Sequence, residues 1–124
     1  MSAIPDQTYE GWIHNLRTVA GLDPEHISAY SLIIEEGTPF ALRTLNLPDE
    51  DAEYNMYEAT AQILREYGFE QYEISNYAKK GRECRHNVGY WIRQDYLGFG
   101  LGASSLYGKE RFANTQDMKK YLEN

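Results

Sequence analysis

The sequence has little of what several classes of protein require. Cys84 is the only cysteine among 124 residues, so the chain cannot close an internal disulfide or supply the cysteines of a structural zinc site or an iron–sulfur cluster. No stretch approaches the roughly 18 apolar residues of a membrane span, and Met1–Thr8 lacks the basic and apolar regions of a secretory signal. We therefore expect a soluble, cytoplasmic protein.

Basic residues are also few. Nineteen acidic and twelve basic side chains give a formal net charge of −7, and a surface of that sign repels nucleic-acid phosphates and anionic lipids. No nucleic-acid partner is expected. Tyrosine, by contrast, is abundant: eleven tyrosines against four phenylalanines predict half-buried rings whose hydroxyls find hydrogen-bond partners.

Residues 1–78 alternate helical and strand patterns. The predicted elements are a helix over Thr8–Ala20, a strand over His26–Ile34, a helix over Asp49–Tyr67 and a strand over Glu70–Ala78. Helical spacing of apolar residues predicts two buried stripes: Trp12, Ile13, Leu16, Val19 and Ala20, then Ala52, Met56, Ala59, Ile63 and Tyr67. Gly21 and Gly68 should end the helices. This order predicts an α/β fold whose two strands pair in parallel through a right-handed crossover, with both faces covered.

Residues 79–124 follow a different pattern. A polar, basic stretch over Lys79–Asn87 leads through aromatic residues into an alternating glycine segment, Tyr96–Ser105, where backbone can approach a ligand or another chain closely. A short helix is predicted from Thr115 or Gln116 to Asn124. Two convincing strands are too few for a buried parallel sheet, so the chain either completes its sheet by oligomerising or is a piece of a larger α/β protein.

The densest cluster of reactive groups is Cys84-Arg85-His86-Asn87. Cys84 and His86 would point in opposite directions along an extended chain, which disfavours a thiolate–histidine pair. Neither His14 nor His26 has a spacing that completes a metal site with them. A structural or ligand-contact role is the favoured interpretation of this cluster.

Three further patterns have a functional and a structural interpretation. The spacing G-x-G-x-G over Gly98–Gly102 departs from the dinucleotide-binding G-x-G-x-x-G, which favours a packed glycine strand or bulge. Glu35 and Glu36 end the first predicted strand, where α/β proteins place their sites, although a solvated acidic turn is the simpler interpretation. The aromatic residues around Tyr90 and Tyr96 either form a wall for a flat ligand or belong to a core.

Four segments, in this order, resemble the oxygen-independent coproporphyrinogen III oxidase family of radical S-adenosylmethionine proteins, most of all its heme-chaperone branch. They are His26–Phe40 (HISAYSLIIEEGTPF), Leu47–Tyr57 (LPDEDAEYNMY), Gln71–Ala78 (QYEISNYA) and Cys84–Ser105 (CRHNVGYWIRQDYLGFGLGASS). Residues 4–8 are similar to the family's L-P-G-Q-T, with Asp6 in place of glycine. The resemblance implies a partial (β/α) barrel with parallel strands, of which residues 1–78 are the closing units, followed by a glycine- and aromatic-rich extension over residues 79–124.

The family's cluster motif, C-x-x-x-C-x-x-C, is absent from this sequence. The resemblance therefore implies a C-terminal part of the radical domain with no catalytic residue and no metal ligand of its own, inert without the cluster-binding half. The parent protein would use a [4Fe–4S] cluster and S-adenosylmethionine, with heme as ligand. Three residues would line the S-adenosylmethionine cavity: Ile33, Tyr72 and Ile74. Six would lie on the substrate side: His86, Asn87, Tyr90, Gly98, Gly100 and Gly102.

The resemblance also implies partners: the N-terminal half of the parent domain, heme or porphyrin, and a heme-acceptor protein. The isolated chain is expected to form a homo-oligomer or to swap elements. Two alternatives stay open at this point. One is part of a true oxygen-independent coproporphyrinogen III oxidase, which oxidatively decarboxylates propionates in heme biosynthesis; the other, of a different class, is a free-standing α/β interaction module that oligomerises.

Overall fold

The computed structural model describes residues 1–123, which fall into two compact units divided between Glu83 and Cys84. The first unit contains α1 (Tyr9–Gly21), β1 (His26–Ser28), α2 (Glu50–Glu66), β2 (Glu70–Gln71) and β3 (Asn76–Ala78). The second contains α3 (Arg85–Trp91), β4 (Ser104–Tyr107), β5 (Glu110–Ala113) and α4 (Met118–Glu123). The predicted mixed α/β class is confirmed. Within residues 1–123, no helix is long and apolar enough to cross a membrane.

Both long helices begin at the residues that the sequence predicts. The hydroxyl of Thr8 accepts a hydrogen bond from the Gly11 N–H at 3.1 Å, and the carboxylate of Asp49 accepts one from the Ala52 N–H at 2.8 Å. Each cap satisfies a backbone donor that has no partner inside the helix. Gly68 follows α2 with φ of +83°, a left-handed conformation that glycine adopts without steric cost.

The core of the first unit lies between α1, α2 and the strands. It contains both predicted helical stripes in part, together with three residues that the stripes do not include; its members are Trp12, Leu16, Ala20, Met56, Ala59, Ile63, Leu64, Phe69 and Tyr77. Val19 is exposed and Ile13 only partly buried, so the buried stripe of α1 is narrower than predicted. The indole N–H of Trp12 donates to the Thr60 hydroxyl at 2.9 Å and fixes α1 against α2.

The predicted parallel pairing of the strands is wrong. The stretch Glu70–Ala78 is a hairpin instead of one strand: the Tyr72 N–H donates to the Asn76 carbonyl at 3.1 Å, and β2 pairs with β3 in antiparallel fashion. Since β3 also pairs antiparallel with β1, the sheet order is β1-β3-β2. β1 and β2, which the crossover through α2 joins, do run in the same direction, but β3 lies between them in the sheet.

The first strand is shorter than predicted. β1 ends at Ser28, and beyond it the chain makes an isolated parallel bridge between Ser2 and Ser31. Residues 36–43 form exposed turns, so Glu36 lies in a solvated turn, in agreement with the simpler interpretation of the acidic pair.

In the second unit, α3 covers a segment that the sequence analysis treats as extended. β4 and β5 form an antiparallel hairpin, with Leu106 and Ser105 buried on β4. The terminal helix begins later than predicted, at Met118, because the Asp117 carboxylate accepts hydrogen bonds from the backbone N–H groups of Lys119 and Lys120. Its last residue, Asn124, lies outside the described residues.

Candidate functional site

The first unit has an open cavity of about 440 Å³ between the ends of its strands and α2, which we call the tyrosine cavity. It is lined from the strand side by Tyr30, Ser31, Ile33, Ile74 and Ser75, and from α2 by Glu50, Glu53, Tyr54, Tyr57 and Thr60. Ile33 is 75% exposed and Ile74 60% exposed. The cavity therefore offers aliphatic and aromatic contacts for a flat ligand and carboxylate groups at its edge.

Hydrogen bonds orient the polar groups of the tyrosine cavity. Asn76, only 2% exposed, accepts a hydrogen bond from the Ser28 hydroxyl and donates its amide N–H to the Tyr30 hydroxyl at 3.3 Å. The amide of Gln71 donates to the Tyr57 hydroxyl at 3.0 Å. The Ser31 hydroxyl donates to the Glu53 carboxylate. Partners for these tyrosine hydroxyls agree with the expectation drawn from the tyrosine-rich composition.

The structure brings together two of the three residues predicted for the S-adenosylmethionine side. Ile33 and Ile74 both line the tyrosine cavity, whereas Tyr72 is not among its lining residues. The Tyr72 hydroxyl lies 2.7 Å from Nε2 of His26, and the two rings are 5.6 Å apart between centroids. Tyr72 therefore packs against β1, and its predicted contact with a cofactor would need a different side-chain position.

The second unit has its own cavity of about 290 Å³, which we call the histidine cavity. Its lining combines charged, amide and aromatic groups: Arg85, His86, Gly89, Tyr90, Gln94, Asp95 and Tyr96. The rings of His86 and Tyr90 meet edge-on at 4.6 Å between centroids, and those of Tyr90 and Tyr96 at 4.7 Å. Helix α3 produces this arrangement because residues four apart share a helix face.

Of the six predicted substrate-side residues, only His86 and Tyr90 line the histidine cavity. Asn87 lies on α3 outside the lining, and the three glycines lie in the loop before β4. Two residues that follow β5 hold this loop: the side-chain amide of Asn114 donates to the Gly100 carbonyl at 2.8 Å, and the Gly102 N–H donates to the Thr115 carbonyl at 2.9 Å. The backbone of the glycine segment is thus held by hydrogen bonds inside the second unit.

Sequence reasoning missed two groups that shape these cavities. Nothing in the sequence pattern singles out Glu53, Gln94 or Asp95. No local signal marks Glu53, because its contact with Ser31 spans 22 positions. Gln94 can be predicted as a cavity residue only once Cys84–Trp91 is recognised as a helix that is followed by a turn. Within residues 1–123, no group of three or more His, Cys, Asp or Glu side chains could hold a metal ion.

Bacterial heme chaperones are similar to this sequence along nearly its whole length. The heme chaperone HemW of Bacillus subtilis is 40% identical over 127 residues, which cover 99% of this chain and 34% of that protein. HemW of Escherichia coli is 44% identical over 112 residues, covering 90% of this chain and 29% of that protein. The resemblance to this family is confirmed. The chain spans about a third of the length of the heme chaperones that it matches, and no family model matches it.

A solved structure has the same fold. Coproporphyrinogen III oxidase (HemN) from Escherichia coli, described as a radical SAM enzyme, superposes with a TM-score of 0.78 at 21% sequence identity. The match covers 98% of this chain and 31% of that one. At this identity the likeness establishes the fold and nothing more about activity. As with HemW, about a third of the longer protein corresponds to this chain.

Proposed function

We propose that the chain is the C-terminal part of the radical S-adenosylmethionine domain of a heme chaperone, and that it is inert without the remainder of that domain. The observation that carries the proposal is the match to HemW of Bacillus subtilis, which covers 99% of this chain but 34% of the relative. The parent protein would hold a [4Fe–4S] cluster and S-adenosylmethionine, bind heme and pass it to an acceptor protein in the cytoplasm.

The cluster does not fit this chain alone. Cys84 is its only thiol, whereas an iron–sulfur cluster needs several cysteine thiolates. We therefore assign no residue of this chain to the cluster and derive no step through it. The chemistry that depends on the cluster belongs to the preceding part of the parent.

In this proposal the two cavities have different ligands. The tyrosine cavity would face S-adenosylmethionine, with Ile33 and Ile74 as apolar contacts; Tyr72 packs against His26 and is not among the residues that line this cavity. The histidine cavity would face heme or porphyrin, with the His86 and Tyr90 rings as contacts for a flat macrocycle. Asn87 and the loop glycines Gly98, Gly100 and Gly102 would shape the mouth of that site.

The fold of the parent is proposed as a partial (β/α) barrel. Residues 1–78 would be its closing units and residues 79–124 the extension that follows them. β1 and β2 run in the same direction and are joined by a crossover through α2, as in the repeating unit of such barrels, although the antiparallel β3 lies between them.

A fusion protein tests the proposal. The region of Bacillus subtilis HemW that precedes the matched segment is joined to this chain, and the fusion and the chain alone are reconstituted anaerobically with iron and sulfide. We expect cluster absorbance and bound iron only in the fusion, which should also bind heme in a titration. A cluster on the chain alone would contradict the proposal.

Two variants of the fusion test the ligand of the histidine cavity. His86→Ala should weaken heme binding, whereas His14→Ala, which removes an exposed histidine of α1, should leave it unchanged. Equal heme affinity of the two variants would show that His86 does not contribute to heme binding.

The second candidate function is oxygen-independent coproporphyrinogen III oxidase. HemN of Escherichia coli has the same fold as this chain, so the fold is compatible with both candidates. An assay of coproporphyrinogen III decarboxylation on the fusion separates the two candidates. Turnover without stable heme binding would favour the oxidase, and heme binding without turnover would favour the chaperone.

A further inference from the structure

Three aromatic rings of the histidine cavity form a continuous series. The His86 and Tyr90 rings meet edge-on at 4.6 Å between centroids, and the Tyr90 and Tyr96 rings at 4.7 Å with an interplanar angle of 88°. His86 and Tyr90 lie four positions apart on α3, whereas Tyr96 lies beyond the end of that helix. Tyr96 therefore adds a contact that α3 does not provide by itself.

Two backbone hydrogen bonds hold Tyr96 against β4. Its N–H donates to the Leu106 carbonyl at 2.7 Å, and the Leu106 N–H donates to the Tyr96 carbonyl at 3.0 Å. Leu106 lies on β4 and is 1% exposed. These two bonds make an antiparallel bridge, so the backbone that carries the Tyr96 ring is fixed to the hairpin of β4 and β5.

A tight turn after α3 brings Tyr96 back to the helix. The Arg93 N–H donates to the Tyr90 carbonyl at 3.1 Å and the Gln94 N–H to the Gly89 carbonyl at 2.8 Å, and Arg93 has φ of +58°. A left-handed residue just after a helix turns the chain back and satisfies the last helical carbonyls. The path of the backbone thus places the Tyr96 ring at the cavity face of α3.

The rings of His86 and Tyr90 lie at the surface. Tyr90 is 42% exposed, and His86 is also exposed. Exposed side chains exchange rotamers within nanoseconds unless a neighbour holds them. Edge-to-face contact between aromatic rings is favourable beyond the area that it buries. Tyr96 therefore restricts the Tyr90 ring, and the Tyr90 ring restricts the imidazole of His86.

We propose that Tyr96 is a positioning residue for the heme contact of the histidine cavity. Acting through the Tyr90 ring, it holds the His86 imidazole in one orientation, so that a flat macrocycle meets groups that are already in place. Such preorganisation lowers the entropy lost on binding. The assignment rests on the proposed function for the identity of the ligand, whereas the orientation of His86 is a property of the chain without heme.

Nuclear magnetic resonance of the full chain without heme tests the positioning. The ring current of Tyr90 shifts the proton signals of the His86 ring, which therefore report its orientation. Tyr96→Leu should move these signals toward those of a freely rotating histidine, whereas Tyr96→Phe, which keeps the ring, should preserve them. Tyr107→Leu, which removes a 63% exposed tyrosine of β4, is the matched control and should have no effect. Unchanged His86 signals in Tyr96→Leu would overturn the proposal.

Two further measurements separate positioning from a purely structural role. Amide exchange at Leu106 reports the backbone bridge, which leucine at position 96 can still form. Loss of that protection in Tyr96→Leu would make Tyr96 a structural residue of the hairpin and overturn the proposal. In a Tyr90→Leu background, Tyr96→Leu should leave the His86 signals as they are. A further change there would show that Tyr96 does not act through Tyr90 and would also overturn the proposal.

Heme titration of the fusion protein measures the consequence for the ligand. Tyr96→Leu should raise the dissociation constant for heme about fivefold, the order of magnitude that loss of one edge-to-face contact allows, and Tyr96→Phe should leave it unchanged. Equal heme affinity of the wild type and Tyr96→Leu would overturn the proposal. A wild-type fusion that binds no heme would contradict the proposed function instead, and the His86 signals of the chain alone would still decide the positioning.

Discussion

Gly98 lies where no side chain fits. A Cβ atom at this position would lie 2.2 Å from the carbonyl oxygen of Ser104, and the Gly98 N–H donates to the Ser105 hydroxyl at 3.0 Å. The glycine spacing of this segment predicts close backbone packing, and at Gly98 the structure has such a contact. Gly100 and Gly102 instead have positive φ angles, of 107° and 68°.

Gly98→Ala should destabilise the second unit by about 2 kcal/mol or more, because backbone must move to admit the methyl group. Gly89→Ala is the matched control: its Cβ would meet the flexible amide of Gln94 at 3.2 Å, and alanine is the better helix former. Urea unfolding measures both. Equal stability of the two variants would contradict the packing role of Gly98.

Tyr77 should make stability fall at high pH. Burial, with smaller contributions from Tyr57, Glu73 and Glu58, raises the pKa of its hydroxyl from 10.0 to about 12. Between these values the unfolded chain loses the Tyr77 proton before the folded chain does, so the free energy of unfolding falls as pH rises, by up to about 3 kcal/mol.

Comparison with Tyr77→Phe isolates this effect, since the other tyrosines titrate in both proteins. Unfolding free energies measured between about pH 9 and 12 should fall more steeply for the wild type than for the variant. Parallel curves would show that Tyr77 titrates in the folded state as it does in the unfolded state.

Asp6 occupies the position of a glycine in the family motif, and the structure shows how an aspartate is accommodated there. Its φ is +60°. A left-handed conformation costs a residue with a side chain roughly 1–2 kcal/mol. The Asp6 carboxylate offsets part of this cost by accepting a hydrogen bond from the Asn46 amide at 3.0 Å.

At the scale of elements, the buried indole N–H of Trp12 joins α1 to two groups of α2, the Thr60 hydroxyl at 2.9 Å and the Met56 carbonyl at 3.3 Å. The Thr60 hydroxyl accepts from the Trp12 indole and itself donates to the Met56 carbonyl at 2.7 Å. A double-mutant cycle of Trp12→Phe and Thr60→Val should give a coupling energy of about 1 kcal/mol. In a second cycle Thr60→Ser replaces Thr60→Val; because serine keeps the hydroxyl acceptor, this cycle measures the coupling energy that does not come from the hydrogen bond. Equal coupling energies in the two cycles would show that the hydrogen bond is not the source of the coupling.

Helices were easier to predict than strands for a physical reason. Caps at Thr8 and Asp49 and the spacing of apolar residues are local signals, so the bounds of α1 and α2 agree with the sequence within one or two residues. Pairing is not local. The turn between β2 and β3 lacks glycine and proline, the usual hairpin signals, so no local pattern predicts that Glu70–Ala78 folds into a hairpin.

The candidate site was predictable to a similar extent. His86 and Tyr90 were identified from a resemblance, and their common cavity follows from the helix that contains them. The separation of Tyr72 from Ile33 and Ile74 was not predictable, because it depends on the hairpin and on the contact with His26. Contacts such as Ser31 with Glu53, far apart in sequence, need the folded chain.

For the whole molecule, the open edge of β1 should make the isolated chain associate. Unpaired backbone groups at a sheet edge are available to a second chain. Sedimentation velocity should therefore detect concentration-dependent oligomers of the wild type. Ser28→Pro removes an outward N–H and should reduce association, whereas Ser28→Ala, which removes only the hydroxyl, should not. A wild type that stays monomeric at all concentrations would contradict this prediction.

The central claim is that this chain is the later part of a radical S-adenosylmethionine heme chaperone. Sequencing the transcript upstream of the Met1 codon tests it most directly. We predict an open reading frame, continuous with Met1, that encodes three cysteines spaced C-x-x-x-C-x-x-C. An in-frame stop codon with no such motif upstream would contradict the claim and leave a free-standing α/β module as the account of this protein.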